Sequence, residues 1–563
     1  MALGKVISRS HRLLIDSVLL GVVGALSAQV FMFLLHVSKY VFRVWMAGYV
    51  APGLPEEGGV LAAQIGPHGL WYIPIVTTLG GLISGILVFG LAPEAEGHGT
   101  DAAVKAYHRL GGVIRSIVPP LKMLASAITI GSGGSAGREG PTALASAGFG
   151  SVYAQILRRS EDDTRLLVLI GMAAGLSAIF RSPIGCAVFA VEVLYSEMEY
   201  EASALFYAMF ASVVAYVLNG VFVGWQPLFK IPVHLGITNA GEFAYYLVLG
   251  LASGLIATLL PMMFYGIRDL FKLIPLPPHV KPAIGGLGVG LMALVVPQVL
   301  GGGYGWIQEA INGRLTGELL LTLVFAKALA FCFTVSSGGS GGIFAPCLFV
   351  GAMLGGFLAH VFGLPPAGFV VVGIVAVFGA AARVPFATLL MVVEMTGGYE
   401  MLVPAAAAVA VSYFVQYELS SPLKYRSMYE AQVPTRADSP THHAETLEVA
   451  CRLLRDRQVP PDTMVDRMNL LDLLESGIPV DLSYGRNLDI VKVTMDSSCV
   501  GMPPQSVELV DPGKDAEVAA IIRGGAVLIP QPDTILQAGD RLLVVEHPGI
   551  QCEVPGLTSR QAK

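Results

Sequence analysis

Gly133-Gly134-Ser135-Ala136-Gly137-Arg138-Glu139-Gly140-Pro141 returns later in the chain as Gly338-Gly339-Ser340-Gly341-Gly342-Ile343-Phe344-Ala345-Pro346, at a constant offset of 205 (346 minus 141). A second match follows at an offset of 202 (383 minus 181), where Arg181-Ser182-Pro183 with Glu192 corresponds to Arg383-Val384-Pro385 with Glu394. Two matches at nearly one offset point to a half-chain carried twice. In the first copy the glycines let the backbone turn and approach a neighbour closely. Pro141 suits the first turn of a helix, where its missing N–H is no loss. The segment therefore reads as a chain break followed by a helix whose first amides are free.

The surrounding composition places these breaks in lipid. Of 563 residues, 54% are hydrophobic and only 13% charged, and the mean hydropathy is +0.66, a balance unsuited to a water-soluble surface. Apolar runs at 18–37, 75–91, 205–223, 247–265 and 319–335 approach or reach the length of a bilayer span. Elsewhere 66 Gly and 35 Pro cut such runs short, as in transporters whose helices stop inside the membrane around a cavity. Lys5, Arg9 and Arg12 precede the first span, and no small-residue cleavage site follows it. These features predict an uncleaved first helix, cytoplasmic N- and C-termini and an even number of crossings of the cell (plasma or inner) membrane.

Several function classes are excluded. A net charge of -6 without a dense Lys/Arg run argues against nucleic acid as a partner. Cys186, Cys332, Cys347, Cys451, Cys499 and Cys552 are scattered singly, without metal-type or disulfide-framework spacing. No nucleophile elbow or zinc-binding arrangement accompanies the Ser, His and carboxylate residues, so an enzyme is not expected.

What the repeated breaks can do is solvate a negative ion. A helix N-terminus offers unsatisfied N–H groups and roughly half a positive charge, enough to hold an anion in a low-dielectric setting without a full countercharge. Such a site is favourable but weak, which conduction requires. Glu139 is the anomalous member of the motif, because an ionisable group in the membrane costs roughly 2.5–3.5 kcal/mol on insertion scales. Its carboxylate can mimic the anion, plugging the path when charged and swinging aside when protonated or displaced. The competing reading is duplication for packing, with small residues simply letting helices approach.

The two motifs together resemble the CLC family of chloride channels and proton-coupled chloride exchangers. The resemblance spans about residues 15–432 and includes Gly171-Met172-Ala173-Ala174-Gly175 and Glu394-Met395-Thr396. It implies an all-α polytopic membrane domain with two inverted repeats, and a homodimer with one pore per subunit. It also implies chloride or another small anion as the permeant species, Glu139 as the gate, and the backbone amides of Ile343 and Phe344 on the central anion. A tyrosine completes the family's anion site; Ser427-Met428-Tyr429-Glu430 matches its context, with Tyr425 as competitor. The first pore motif corresponds to Gly97-His98-Gly99-Thr100-Asp101, where His98 stands in the place of an anion-coordinating serine. Its imidazole either donates to the anion or turns away into protein contacts. The expected anion-binding set is thus His98, Gly99, Gly137, Arg138, Gly140, Ile343, Phe344 and Tyr429. Many exchangers of the family carry an inner proton-relay glutamate directly after the position of Glu192. Here that residue is Val193, which cannot take up a proton, favouring a passive channel or uncoupled transporter over a proton-coupled exchanger. Glu192 is expected to be structural, and Arg138, Arg181 and Arg383 to serve backbone carbonyls near helix ends more than anions.

Beyond residue 432 the chain turns polar. We expect a linker with short helices around 447–454 and 468–474 over 433–484, after a membrane domain at 1–432, and then a small cytosolic α/β module at 485–563. In the module, strands are expected around 490–493, 526–529 and 542–545. The run from Arg523 through Gly539-Asp540-Arg541-Leu542 resembles the TrkA-C/RCK-C module, which implies regulation by a small ligand, an inert dimerisation unit being the competing reading. Potassium systems often carry such a tail, which raises cation transport as a further alternative, but no Thr-Val-Gly-Tyr-Gly filter motif is present. No cofactor is expected beyond the permeant ion and that regulatory ligand.

Overall fold

A computed structural model of the chain describes residues 8–231, 241–436 and 439, and in the tail 480–482, 486–493, 500–503, 516–523, 526–528, 530 and 534–546. The chain divides into two compact units, Met1–Pro440 and Thr441–Lys563.

The first unit is helical apart from a two-stranded ribbon of β1 Tyr49–Val50 and β2 Gln64–Ile65, and among the described residues its α-helices fall into two series of eight in the same order. The first series is α1 Arg9–Lys39, α2 Ile73–Leu91, α3 Thr100–Arg109, α4 Val118–Ser132, α5 Glu139–Ile156, α6 Glu161–Phe180, α7 Pro183–Glu192 and α8 Ala202–Val223. The second is α9 Glu242–Leu273, α10 Lys281–Ala293, α11 Tyr304–Ile311, α12 Gly317–Ser336, α13 Phe344–Phe362, α14 Pro366–Ala381, α15 Pro385–Thr396 and α16 Leu402–Ser420. Among the described residues, eight helical segments are long and apolar enough to cross a membrane. The chain is thus a multi-pass membrane protein. The 10 residues of α7 and 12 of α15 reach only about 15–18 Å at 1.5 Å per residue, well short of a hydrocarbon core about 30 Å thick.

Local sequence accounts for the boundaries. Ser160 accepts from the Asp163 amide and caps α6, whose first turn carries Glu161, Asp162 and Asp163 on the positive end of the helix. Pro stands in the first two positions of α2, α7, α10, α14 and α15, where the missing N–H has no intrahelical partner to lose. The helix α6 is apolar around its circumference and lies in the middle of the unit, with 94% of its most apolar window buried.

The halves meet about a pseudo-twofold axis, visible as exchanged contacts. Glu192, closing α7, accepts from the amides of Phe386 (3.2 Å) and Ala387 (2.7 Å) at the start of α15. Glu394, near the end of α15, accepts from the amides of Ile184 (3.2 Å) and Gly185 (2.9 Å) and from the Ser182 hydroxyl (2.5 Å) at the start of α7. Each carboxylate thus caps the other half's helix. Two fully buried lysines also correspond. Lys122 donates to the carbonyls of Ala95 (2.9 Å) and Gly97 (2.6 Å), and Lys327 to those of Val299 (2.8 Å) and Gly301 (2.5 Å). Arg181 and Arg383 correspond as well. Both have φ of 56° and donate to backbone carbonyls, Arg181 to Gln226 and Glu56 and Arg383 to Ser196.

The segment after α16 returns to this unit. Val433 pairs in parallel with Tyr195, exchanging backbone bonds with Leu194 and Ser196, and Arg436 bonds to Glu201. Residues 433–436, expected in the linker, therefore pack with the membrane helices. The expected linker helices at 447–454 and 468–474 lie outside the described residues, as do Cys451, Cys499 and Cys552.

In the second unit five strands, β3 Val480–Leu482, β4 Arg486–Lys492, β5 Ala516–Arg523, β6 Ala526–Leu528 and β7 Arg541–Glu546, form an antiparallel sheet in the order β3-β4-β7-β5-β6. The described residues here are strands and turns, and the α component of the expected α/β module lies outside them. The strand β5 was not anticipated: its alanines and charged ends mask the alternation that marks its neighbours. Arg523 donates to both carboxylate oxygens of the buried Asp540 at 2.7 Å, tying β5 to the turn before β7.

Candidate anion-permeation site

The glycine-rich breaks of the two halves touch each other. Gly137 and Gly342 form an antiparallel bridge in which each amide donates to the other's carbonyl at 2.7 Å. That bridge sets the first turn of α5, beginning at Glu139, beside the first turn of α13, beginning at Phe344. A third break joins them. Gly99, at φ 89°, precedes α3, and a Cβ there would stand 2.7 Å from the Gly140 carbonyl oxygen; a Cβ on Gly140 would stand 2.0 Å from the His98 carbonyl. Only glycine permits this backbone contact. Helix N-termini from both halves thus converge, and their free amides face a shared space.

Side chains complete the arrangement. The Phe344 ring packs against Phe180 (4.5 Å between centroids), Phe378 (4.0 Å) and Phe189 (5.9 Å), so the residue is anchored through its side chain and contributes its backbone. Ile343 precedes it, 1% exposed. Tyr429, 2% exposed, lies 5.3 Å ring to ring from His98. The competitor Tyr425 stacks on Tyr265 at 4.1 Å and receives a bond from Arg268, outside this cluster. His98 is buried, also meets Phe264 at 6.2 Å, and its Nδ1 has no hydrogen-bond partner.

Glu139 is 1% exposed. Its Oε1 accepts a hydrogen bond from the Tyr304 hydroxyl and lies 3.6 Å from the Arg138 guanidinium. Glu139 Oε2 and the Ala345 amide nitrogen crowd the same point, 2.2 and 3.0 Å from where a Cβ on Gly137 would stand, while Oε2 makes no hydrogen bond of good geometry. Arg138 is held in turn by Glu57 at 2.5 Å. On the far side of this group lies a cavity of about 280 Å³ lined by Lys39, Glu57, Arg138 and Tyr304 among others. Val193 is fully buried at the C-cap of α7.

The structure brings His98, Gly99, Gly137, Arg138, Glu139, Gly140, Ile343, Phe344 and Tyr429 to one locality, although Arg138 faces Glu57 and Tyr304 rather than the His98 and Tyr429 side. Sequence reading missed Tyr304 and Thr100. They correspond at an offset of 204 (304 minus 100), each following a glycine of positive φ, Gly303 and Gly99. Extending the repeat to Gly97-His98-Gly99-Thr100 and Gly301-Gly302-Gly303-Tyr304 would have found both.

Converging helix breaks around a buried carboxylate, in a chain of inverted membrane repeats, define an anion-transport fold. Residues 80–417 match the voltage-gated chloride channel family and residues 490–549 the TrkA-C domain. A putative chloride channel protein, ClcB-like, of Ralstonia nicotianae is 30% identical over 419 residues, covering 72% of this chain and 94% of that protein. The H(+)/Cl(-) exchange transporter ClcA of Salmonella agona is 29% identical over 358 residues, covering 61% and 75%. In fold, the chain superposes on a slow cyanobacterial Cl-/H+ antiporter with a TM-score of 0.64 at 21% identity, over 74% of this chain and 96% of that one. A CLC-type fluoride/proton antiporter gives 0.64 at 24% identity, over 76% and 100%. The chain belongs to the CLC, or voltage-gated chloride channel, family and transports anions; it is not an enzyme.

Proposed function

We propose that this chain is a passive chloride channel or uncoupled chloride transporter gated by Glu139. The observation that carries the reading is a buried carboxylate among the converging N-termini of α5 and α13, where an anion would be solvated, with the buried Tyr429 beside His98 of the neighbouring break. Ionised, Glu139 takes the anion's place; protonated, it loses its attraction to Arg138 and to the helix ends and leaves. The amides of Ile343 and Phe344 then solvate the central ion with the help of Tyr429 and Thr100. The unpartnered, buried Nδ1 of His98 supports its taking part in the anion site. Gly99, Gly137 and Gly140 supply the backbone approach, and Arg138 positions the gate.

Uncoupled conduction is favoured over exchange because Val193 offers no proton acceptor where exchangers of the family commonly have one. The second reading, proton-coupled exchange, is supported by the relatives named as H(+)/Cl(-) exchangers. Paired flux measurements decide between them: in liposomes carrying a chloride gradient, chloride leaves without driving protons. A proton flux in fixed ratio to chloride would establish exchange.

The proposed assembly is a homodimer with one pore in each subunit. The proposed setting is the cell membrane with both termini cytoplasmic, and the tail binds a small regulatory ligand that adjusts gating. No cofactor takes part.

A further inference from the structure

We propose that Tyr304 is the latch of the gate: its phenol holds the Glu139 carboxylate in the anion path and thereby sets how much acid is needed to open it. The inference rests on Glu139 being the gate. It concerns a residue on the opposite half of the repeat, at the first position of α11, whose hydroxyl donates to Glu139 Oε1.

Several contacts hold the residue in place. Gly303, at φ 81°, turns the chain into α11, and Lys327 fixes the preceding loop by holding the Val299 and Gly301 carbonyls. The Arg138 guanidinium covers the Tyr304 ring at 4.8 Å from its centroid, and Phe229 lies 6.0 Å away on a tilted plane. The ring therefore has little freedom to point its hydroxyl elsewhere.

The charged groups around Glu139 leave a distinct task to the phenol. Arg138, on the same element, is the nearby cation, but Glu57 from the α1–α2 connection already accepts from it. Lys39 of α1 lines the cavity beside Arg138 and Tyr304, and Tyr429, from the segment after α16, stands by His98. From α13 the Ala345 amide nitrogen comes to the same side of Gly137 as Glu139 Oε2. The Tyr304 hydroxyl is the side-chain donor bonded to the carboxylate among the described residues. A hydrogen bond to an ionised acceptor is about twice as strong as one between neutral groups, so the bond grips the charged gate and loosens when the gate is protonated. In the first half the corresponding residue, Thr100, also opens its helix with a hydroxyl, so the two symmetry-related helix starts each carry one, and the one on α11 meets the gate.

The test uses the full-length chain in liposomes, with chloride efflux measured against pH for the wild type, Tyr304→Phe, Glu139→Gln and the double variant. Removing a bond to the charged form destabilises the closed state. We expect Tyr304→Phe to raise the ratio of open to closed gate about tenfold at neutral pH and to move the midpoint of acid activation upward by about one pH unit. In the Glu139→Gln background the same change should have no effect on the pH profile. Tyr304→Met, which also lacks the hydroxyl, repeats the measurement if the Phe variant does not purify as a single species. If Glu139→Gln raises flux but neither Tyr304 variant moves the midpoint, the latch is wrong and the gate stands. An equal effect of Tyr304→Phe with and without Glu139 would make Tyr304 a packing residue and also overturn the latch. Unchanged flux and pH response in Glu139→Gln would remove the gate itself.

Discussion

At the scale of single residues, the chemistry turns on one carboxylate kept where an anion should be. Glu139→Gln keeps the size of the side chain and an acceptor for Tyr304 but removes the charge that draws it to Arg138 and to the helix N-termini. Anion flux should rise several-fold at neutral pH and lose most of its acid response, measured as chloride efflux between pH 4 and 8. Unchanged flux and pH profile in this variant would rule Glu139 out as the gate. Glu139 was legible because an ionisable residue inside a glycine-rich membrane motif is an anomaly in the sequence itself. Tyr304 was legible only as the repeat counterpart of Thr100; its bond to Glu139 was not, since a tyrosine after three glycines has no partner until the other half of the chain is placed beside it. The choice of Tyr429 over Tyr425 was likewise beyond spacing: the two are four residues apart, and only their neighbours, His98 against Tyr265 and Arg268, separate them.

At the scale of elements, the short helices depend on carboxylates from the opposite half. Glu192, fully buried, and Glu394, half-buried, each satisfy amides that α15 and α7 cannot satisfy internally. Glu192→Gln or Glu394→Gln should each lower stability by about 1–2 kcal/mol, because an uncharged acceptor replaces a charge-assisted one. Thermal unfolding of the detergent-solubilised protein reads this. The caps involve different helix ends, so the losses should roughly add in the double variant. Glu192→Gln should leave the ratio of proton to chloride movement unchanged; a changed ratio would give Glu192 a part in proton transfer. The sequence offered the matching positions of the two glutamates, but not that each serves the other's helix, because an offset between repeats carries no information about which copy a side chain faces.

At the scale of the whole molecule, an anion-transporting membrane unit is followed in the chain by a separate β-rich unit with its own internal ties. The Arg523 guanidinium beside Asp540 holds its carboxyl below the usual aspartate range. The stabilisation is therefore complete above about pH 4, the unfolded value, and is lost as pH falls through the lower folded one. Hydrogen exchange in β5 and β7 should accelerate in that acid window in the wild type. Asp540→Asn should show faster exchange already at neutral pH, with a loss of about 1–2 kcal/mol, and a flatter acid dependence. Equal protection in the two proteins would show that the pair contributes nothing to the sheet.

Composition and repetition alone determined that this chain lies in lipid, is duplicated, and breaks its helices at glycine-rich points able to solvate an anion. Those are properties of local sequence, since hydropathy, glycine content and proline position act through the chain's own backbone. Only the tertiary structure decided which breaks meet, that Gly137 bonds Gly342, that Tyr429 and not Tyr425 stands by His98, and that Tyr304 reaches Glu139. Contacts between residues about 165 to 330 positions apart are fixed by the packing of the two inverted halves against each other, and no periodicity within either half records them.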